Sequence, residues 1–328
     1  MACLCAMLEA FKRSPEGSAL ASIGLFLLAL CIFKFVHTCA MFVYTQFVRG
    51  GANPRKFGEW AVVTGANSGI GESMARQFAK KKMNVVLMGR SEAALEEVAK
   101  SLRSSYGVEV NVVVADLSDV SADNLETIAA ELEDLDVGVL VNNAGMSYDH
   151  FDDLEAVDAD RLAQLVQLNC TSLMLLTRAV LPGMKSRRRG LVLNVSSGSA
   201  DMPSCPLLSV YAASKRFVDS FSVSMDYELR TFNVRCQVVA PMYVVSKLSK
   251  FRRASLFVAH PDAYAAATMR FLGRETVCWP FWTHALMLGA IKAVPACIFN
   301  NRYLVYARGM QRAFYKRQKR VQLAKKDE

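Results

Sequence analysis

The chain has 328 residues, 52% of them hydrophobic, and a formal net charge of +9. Residues 302–328 hold nine Lys or Arg and two acidic residues, so most of the charge lies in this tail. Because the charge is local, it excludes a generally basic protein of the nucleic-acid-binding type. The basic tail could bind an anionic membrane face or an anionic ligand, or it could simply be solvated. The nine cysteines lack metal-ligand spacing, so we expect no metal site and no structural disulfides, as in a reducing compartment.

The N-terminal part predicts a membrane anchor. Residues 1–17 form a short mixed tail, and residues 18–48 are almost wholly apolar. A span needs about 20 apolar residues, and residues 20–38 supply them if Lys34 extends to the interface. The cations that follow favour a cytosolic position for the rest of the chain.

After a linker at 49–57, short apolar strands alternate with helical segments. Strands are predicted at 60–64, 84–89, 109–115, 137–141, 191–195 and 234–239, with a last one at 275–282. Helices are predicted after residue 71 to about 82 and at 91–104, 121–134, 158–181 and 211–231. This alternation predicts an α/β fold with a Rossmann-type doubly wound parallel sheet. We expect one catalytic domain at 58–282, a substrate-side insertion at 246–275, and a membrane-associated segment with a basic tail at 283–328.

A glycine-rich loop joins the first strand to its helix. Its glycines, spaced GxxxGxG, allow the backbone to approach a pyrophosphate, and the helix N-terminus stabilises the phosphate charge. The candidate cofactor-binding residues in this loop are Gly65, Asn67, Ser68, Gly69, Ile70 and Gly71.

Polar residues follow other predicted strands. Arg90 closes the second strand, where an acidic residue would bind the ribose of NAD, so an arginine there favours the 2′-phosphate of NADPH. Asn142 begins the segment Asn-Asn-Ala-Gly at the carboxyl end of the fourth strand, where ligands bind in such sheets. Asn169 lies in an apolar helix, where its amide needs a hydrogen-bond partner. It is either an amide satisfied within the core or part of the active site.

Tyr211 and Lys215 lie one helical turn apart, so both side chains emerge on the same helix face. A neighbouring ammonium should lower the pKa of the phenol, which could then exchange a proton near neutral pH. A serine at the end of the preceding strand could hold the same carbonyl oxygen. The combination predicts carbonyl reduction.

These motifs together resemble the short-chain dehydrogenase/reductase family over about residues 58–250. The resemblance implies a catalytic tetrad of Asn169, Ser197, Tyr211 and Lys215. The family's serine usually precedes its tyrosine by thirteen residues, where this chain has Gly198, so Ser197 is preferred and Ser199 remains an alternative. The resemblance further implies cofactor contacts from Asp116, Asn142, Pro241, Val244, Ser246 and the tetrad residues Tyr211 and Lys215. Met242 departs from the family pattern, which has a glycine after the proline.

A narrower resemblance is to the very-long-chain 3-oxoacyl-CoA reductases, a branch also described as 17-beta-hydroxysteroid dehydrogenase. Segments such as Asn142–Tyr148 and Thr283–Met287 carry it. It implies NADPH-dependent reduction of long 3-oxoacyl-CoA in fatty acid elongation, beside other elongation enzymes and as a possible homodimer. A steroid or retinoid dehydrogenase, and a non-catalytic nucleotide-binding scaffold, are the alternatives. The lysines at 325 and 326 resemble an endoplasmic reticulum retrieval signal read from the cytosol, so residues 280–299 should not cross the membrane.

Overall fold

The computed structural model describes residues 15–324 and divides the chain into two compact units, 1–49 and 50–328. In the first unit, helix α1 (Pro15–Val43) continues as a π-helical segment, Tyr44–Val48. The apolar segment 18–48 therefore forms one helical element, and its large apolar side chains are exposed. Ser18–Val48 is long and apolar enough to cross a membrane, as an anchor requires. The dilysine signal falls outside the described residues.

The second unit alternates strands and helices as predicted. The strands are β1 (Trp60–Thr64), β2 (Asn84–Gly89), β3 (Val110–Val114), β4 (Val137–Asn142), β5 (Gly190–Val195), β6 (Val234–Val239), β7 (Tyr243–Val244), β8 (Val258–Ala259) and β9 (Val277–Cys278). The helices are α2 (Gly69–Lys80), α3 (Glu92–Tyr106), α4 (Ala122–Glu133), α5 (Ala159–Val166), α6 (Leu173–Ser186), α7 (Ser209–Leu229), α8 (Pro261–Phe271), α9 (Trp282–Ala293) and α10 (Ala296–Ala324).

Seven strands form one parallel sheet in the order β3-β2-β1-β4-β5-β6-β9, and β7 pairs with β8 in a separate small sheet. Strands β1, β4 and β5 are buried at every residue, because helices cover both faces of the sheet. The strand order reverses between β1 and β4. Ligands of open α/β sheets bind at this switch point, beyond the carboxyl ends of the strands.

Three segments differ from the sequence expectations. The helix predicted at 158–181 extends to Ser186, and a π-helical segment at Gln167–Ser172 interrupts it. The last strand is limited to Val277–Cys278. Within 246–275, α8 packs against α2 in the helical layer that covers the sheet, and it lies between β6 and β9 in the chain. The second half of the predicted insertion therefore belongs to the core.

A buried carboxylate joins α7 to β6 and to the segment before β9, the last strand of the sheet. Asp226 accepts hydrogen bonds from Arg235 at 2.7 Å, Arg230 at 2.8 Å, Thr276 at 2.7 Å and the Cys236 N–H at 3.1 Å. Burial alone would raise the pKa of Asp226, but these donors outweigh it and bring the pKa to about 2. The group is therefore a carboxylate at neutral pH, joining three elements.

Candidate active site

A cleft of about 600 Å³ opens at the carboxyl ends of β1, β2 and β4. The loop after β1, the end of β2 and the loop after β4 line it, together with residues 246–250. Of the predicted cofactor residues, the lining includes Gly65, Asn67, Ser68, Gly69, Ile70, Arg90, Asp116 and Ser246. The structure thus brings most of the predicted contacts to one cleft.

The glycine loop needs its glycines for two physical reasons. Gly65 and Gly69 have φ of +63° and +62°, a left-handed conformation that favours glycine. At Gly71, a Cβ would lie 2.3 Å from the carbonyl oxygen of Gly65, so the first turn of α2 packs directly on the loop. The cleft therefore meets bare backbone and a helix N-terminus, which fits a pyrophosphate.

Arg90 and Asp116 lie at the other end of the cleft. Arg90 is exposed directly after β2. Asp116 accepts hydrogen bonds from the Ser118 hydroxyl at 2.7 Å and the Ser118 N–H at 2.9 Å. Burial raises the pKa of Asp116, but the Ser118 bonds and the charge of Arg90 outweigh it and lower the pKa overall. A cation and a fixed carboxylate therefore flank the space open to a nucleotide.

The two asparagines after β4 have different positions. The Asn142 side chain is buried and donates to Asn194 at 2.8 Å and Thr177 at 3.1 Å, away from the cleft lining. Asn143 lines the cleft and donates to the Thr64 carbonyl at 2.9 Å. Of the two asparagines in this segment, the side chain of Asn143 therefore faces the cleft and that of Asn142 faces the core.

The structure brings Tyr211, Ser197 and Lys215 together. The Ser197 side chain lies close enough to the Tyr211 phenol to lower its pKa. Lys215 is buried, and its Nζ donates to the Val195 carbonyl at 3.0 Å. The hydroxyls of Ser197 and Tyr211 and the Lys215 ammonium thus lie where β5 ends and α7 begins. This arrangement can hold and protonate a carbonyl oxygen.

The pKa of Tyr211 is raised, which contradicts the expected lowering. Burial dominates, and the Ser197 hydrogen bond offsets only part of it. Burial also lowers the pKa of Lys215 to about 8, although Cys170 and Asp219 oppose this. At neutral pH the phenol keeps its proton, which is the state that a proton donor for reduction needs.

Asn169 links the loop after β4 to α7. Its Oδ1 accepts from the Met146 N–H at 2.9 Å, and its Nδ2 donates to the Met146 carbonyl at 2.9 Å and the Ser214 hydroxyl at 3.0 Å. The residue lies in the π-helical segment at 167–172, and such segments are frequently found at functional sites. The polar groups of the Asn169 amide are therefore hydrogen-bonded, in part to α7, which carries Tyr211 and Lys215.

The structure separates the two candidate serines. Ser197 lies close enough to Tyr211 to affect the pKa of its phenol, whereas the Ser199 hydroxyl donates to Ser197, at 3.0 Å. Between them, a Cβ on Gly198 would lie 1.9 Å from the Met242 sulfur. Met242, the departure from the family pattern, occupies the space that a side chain at 198 would need.

The segment after β6 approaches the site in three ways. The Pro241 carbonyl accepts from the Gly198 N–H at 2.8 Å, Val244 is buried, and Ser246 lines the cleft. His284, not singled out from the sequence, accepts from the Met242 N–H at 3.3 Å and contacts the Tyr243 carbonyl at 3.1 Å. Burial lowers the pKa of His284 to about 4, so a neutral imidazole fixes this segment from α9.

Comparisons with known proteins agree with this geometry. A profile described as short chain dehydrogenase matches residues 59–256. The chain is 35% identical over 267 residues to the very-long-chain 3-oxoacyl-CoA reductase of Rattus norvegicus, covering 81% of this chain and 85% of the relative. It is 38% identical over 244 residues to the Homo sapiens protein of that name, covering 74% and 77%.

Solved structures of dehydrogenases have the same fold as this chain. A short-chain dehydrogenase from Sphingobium yanoikuyae in complex with NADPH aligns with a TM-score of 0.62 and 27% identity, over 72% of this chain and 96% of that one. A 7beta-hydroxysteroid dehydrogenase aligns with a TM-score of 0.68 and 25% identity, over 77% and 99%. The chain belongs to the short-chain dehydrogenase family and is an oxidoreductase similar to the very-long-chain 3-oxoacyl-CoA reductases.

Proposed function

We propose that the protein reduces the 3-oxo group of long-chain and very-long-chain 3-oxoacyl-CoA with NADPH, the second step of fatty acid elongation. The observation that carries the proposal is the contact of Tyr211 with Ser197 beside the buried Lys215, next to a cleft that fits a dinucleotide. The names of the most similar relatives support the substrate class, and the neighbour solved with NADPH supports the cofactor.

The cofactor's pyrophosphate would lie on the glycine loop, and its 2′-phosphate beside Arg90. Bound NADPH supplies a hydride to the carbonyl carbon. Ser197 donates a hydrogen bond to the carbonyl oxygen, and Tyr211 transfers its proton to that oxygen, so the ketone becomes a secondary alcohol. Lys215 holds a positive charge beside the phenol as the phenol loses its proton. Asn169 keeps the β4 loop against α7 while this happens.

Replacement of Tyr211 by Phe tests the proposal, because it removes only the hydroxyl. We expect turnover of 3-oxoacyl-CoA to be lost and NADPH affinity, measured by fluorescence titration, to stay within about twofold. Substantial NADPH oxidation by the Phe variant would refute the role of Tyr211 as proton donor.

A steroid alcohol dehydrogenase is the second candidate, favoured by the alignment with a hydroxysteroid dehydrogenase. The chemistry at Tyr211 would be the same, so only the substrate can decide. Purified enzyme should be offered a long 3-oxoacyl-CoA and an oxosteroid in parallel. A larger kcat/KM for the oxosteroid would reverse our ranking.

We further propose that α1 anchors the enzyme in the endoplasmic reticulum membrane with the second unit in the cytosol. Helices α9 and α10 meet at a bend of 117°. That bend, at Val294 and Pro295, suits a segment that rests at the interface without crossing. Protease added to sealed microsomes should remove an epitope from the C-terminus. Protection of the epitope would contradict this topology.

A further inference from the structure

The C-terminal helix α10 binds a buried carboxylate in the loop that follows β4. Asp152 is 5% exposed. Its carboxylate accepts a hydrogen bond from Gln311 Nε2 at 2.8 Å and another from Tyr315 Oη at 2.7 Å. Burial raises the pKa of Asp152, but these donors outweigh it and lower the pKa overall. A charged acceptor therefore holds two side chains of α10.

Neighbouring contacts strengthen this attachment. Arg308 forms an ion pair with Asp153 at 2.6 Å. The ring of His150 stacks on Phe314 with centroids 3.7 Å apart, and its Nε2 lies 3.1 Å from the Asp152 carboxylate. Hydrogen bonds to charged groups contribute more than neutral ones, so α10 is attached here over two helical turns.

The same loop is bonded to the start of the catalytic helix α7. The Asp152 N–H donates to the Leu207 carbonyl at 3.1 Å, two residues before α7 begins. The Tyr148 hydroxyl accepts from the Val210 N–H at 3.3 Å. Because the first N–H groups of a helix lack partners within it, such contacts determine where the helix begins. Val210 directly precedes Tyr211.

A second contact reaches the segment between the catalytic serine and tyrosine. The Tyr303 hydroxyl of α10 lies 3.4 Å from the Cys205 sulfur, and Asn300 accepts from Ser204 at 2.8 Å. Cys205 is close enough to Tyr211 to affect the pKa of its phenol. Helix α10 thus contacts both loops that precede the catalytic tyrosine.

We propose that Asp152 is a positioning residue for Tyr211. Held by Gln311 and Tyr315, it fixes the β4 loop, and this loop fixes the first turn of α7, so that the phenol stays on the Ser197 hydroxyl. The inference rests on the proposed function only in taking Tyr211 as the proton donor. It adds a role for the C-terminal helix in catalysis.

The test alters the donors, because replacing Asp152 itself would remove the acceptor that the buried Gln311 amide and the Tyr315 hydroxyl share. The variants are Gln311→Leu, Tyr315→Phe and the double variant, with Gln318→Leu, an exposed position on the same helix, as the control. Each is assayed for kcat and for the KM of NADPH with a ketone that the unaltered protein reduces. Amide hydrogen exchange of the peptide 205–212 is measured in parallel and needs no substrate.

We expect the double variant to lose roughly ten- to a hundredfold in kcat, because a small misplacement of a catalytic group has effects of this size. The KM for NADPH should be unchanged, and the 205–212 peptide should exchange faster. The control should match the unaltered protein in every measurement. Unchanged exchange in the folded double variant, or a KM for NADPH that rises in proportion to the loss of kcat, would overturn the proposal. Failure of the unaltered protein to reduce acyl-CoA would refute the proposed substrate, while the exchange result would still decide the role of Asp152.

Discussion

Gly198 and Met242 should be energetically coupled beside Ser197, the proposed catalytic serine. A Cβ added at Gly198 would lie 1.9 Å from the Met242 sulfur, far inside van der Waals contact. Overpacking of this kind costs about 1–3 kcal/mol. Gly198→Ala should therefore lower the free energy of unfolding by about that amount and should also lower kcat, because Ser197 directly precedes the strained position.

The coupling can be measured by a double-mutant cycle with Met242→Ala. The double variant should recover most of the stability and activity that Gly198→Ala loses, since the smaller side chain frees the space. Denaturant unfolding gives the stability, and NADPH oxidation gives kcat. Gly289→Ala is the matched control, because no atom lies within 4 Å of its added Cβ. A double variant no better than Gly198→Ala would refute this account of the departure from the family pattern.

The remaining predictions concern charge. Arg90→Asp should shift the NADPH/NADH preference by roughly ten- to a hundredfold toward NADH, and an unchanged ratio of kcat/KM values would make Arg90 a surface residue only. Because the Lys215 ammonium has a pKa of about 8, kcat/KM should fall as pH rises through 8, and a flat profile to pH 9.5 would contradict its role. Asp226→Asn should destabilise the fold by about 1.5–3 kcal/mol at pH 7 in denaturant unfolding, since Arg230, Arg235 and Thr276 lose a charged acceptor. The folded pKa of Asp226 is about 2 against an ordinary 3.8, so its contribution is present above pH 4 and is lost as pH falls toward 2. If the variant and the unaltered protein differed equally at pH 7 and pH 2, the contribution of Asp226 would not depend on its charge.

Local sequence determined the order and type of the main elements. Strands β2 and β6 have the predicted bounds, because short segments rich in valine favour strands, and strands covered on both faces carry few polar residues. The glycine loop and the spacing of Tyr211 and Lys215 were equally readable, since they depend on backbone freedom and helical periodicity. These features need no information about distant residues.

Only the tertiary structure decided which side chains face the site. Asn142 and Asn143 are adjacent and chemically identical, yet one pairs with Asn194 in the core and the other lines the cleft. The direction of the Tyr211 pKa shift was wrong from the sequence, because desolvation by surrounding elements outweighs the neighbouring charge. The attachment of α10 to Asp152 joins residues 159 positions apart. Such contacts arise from packing, which short-range patterns do not encode.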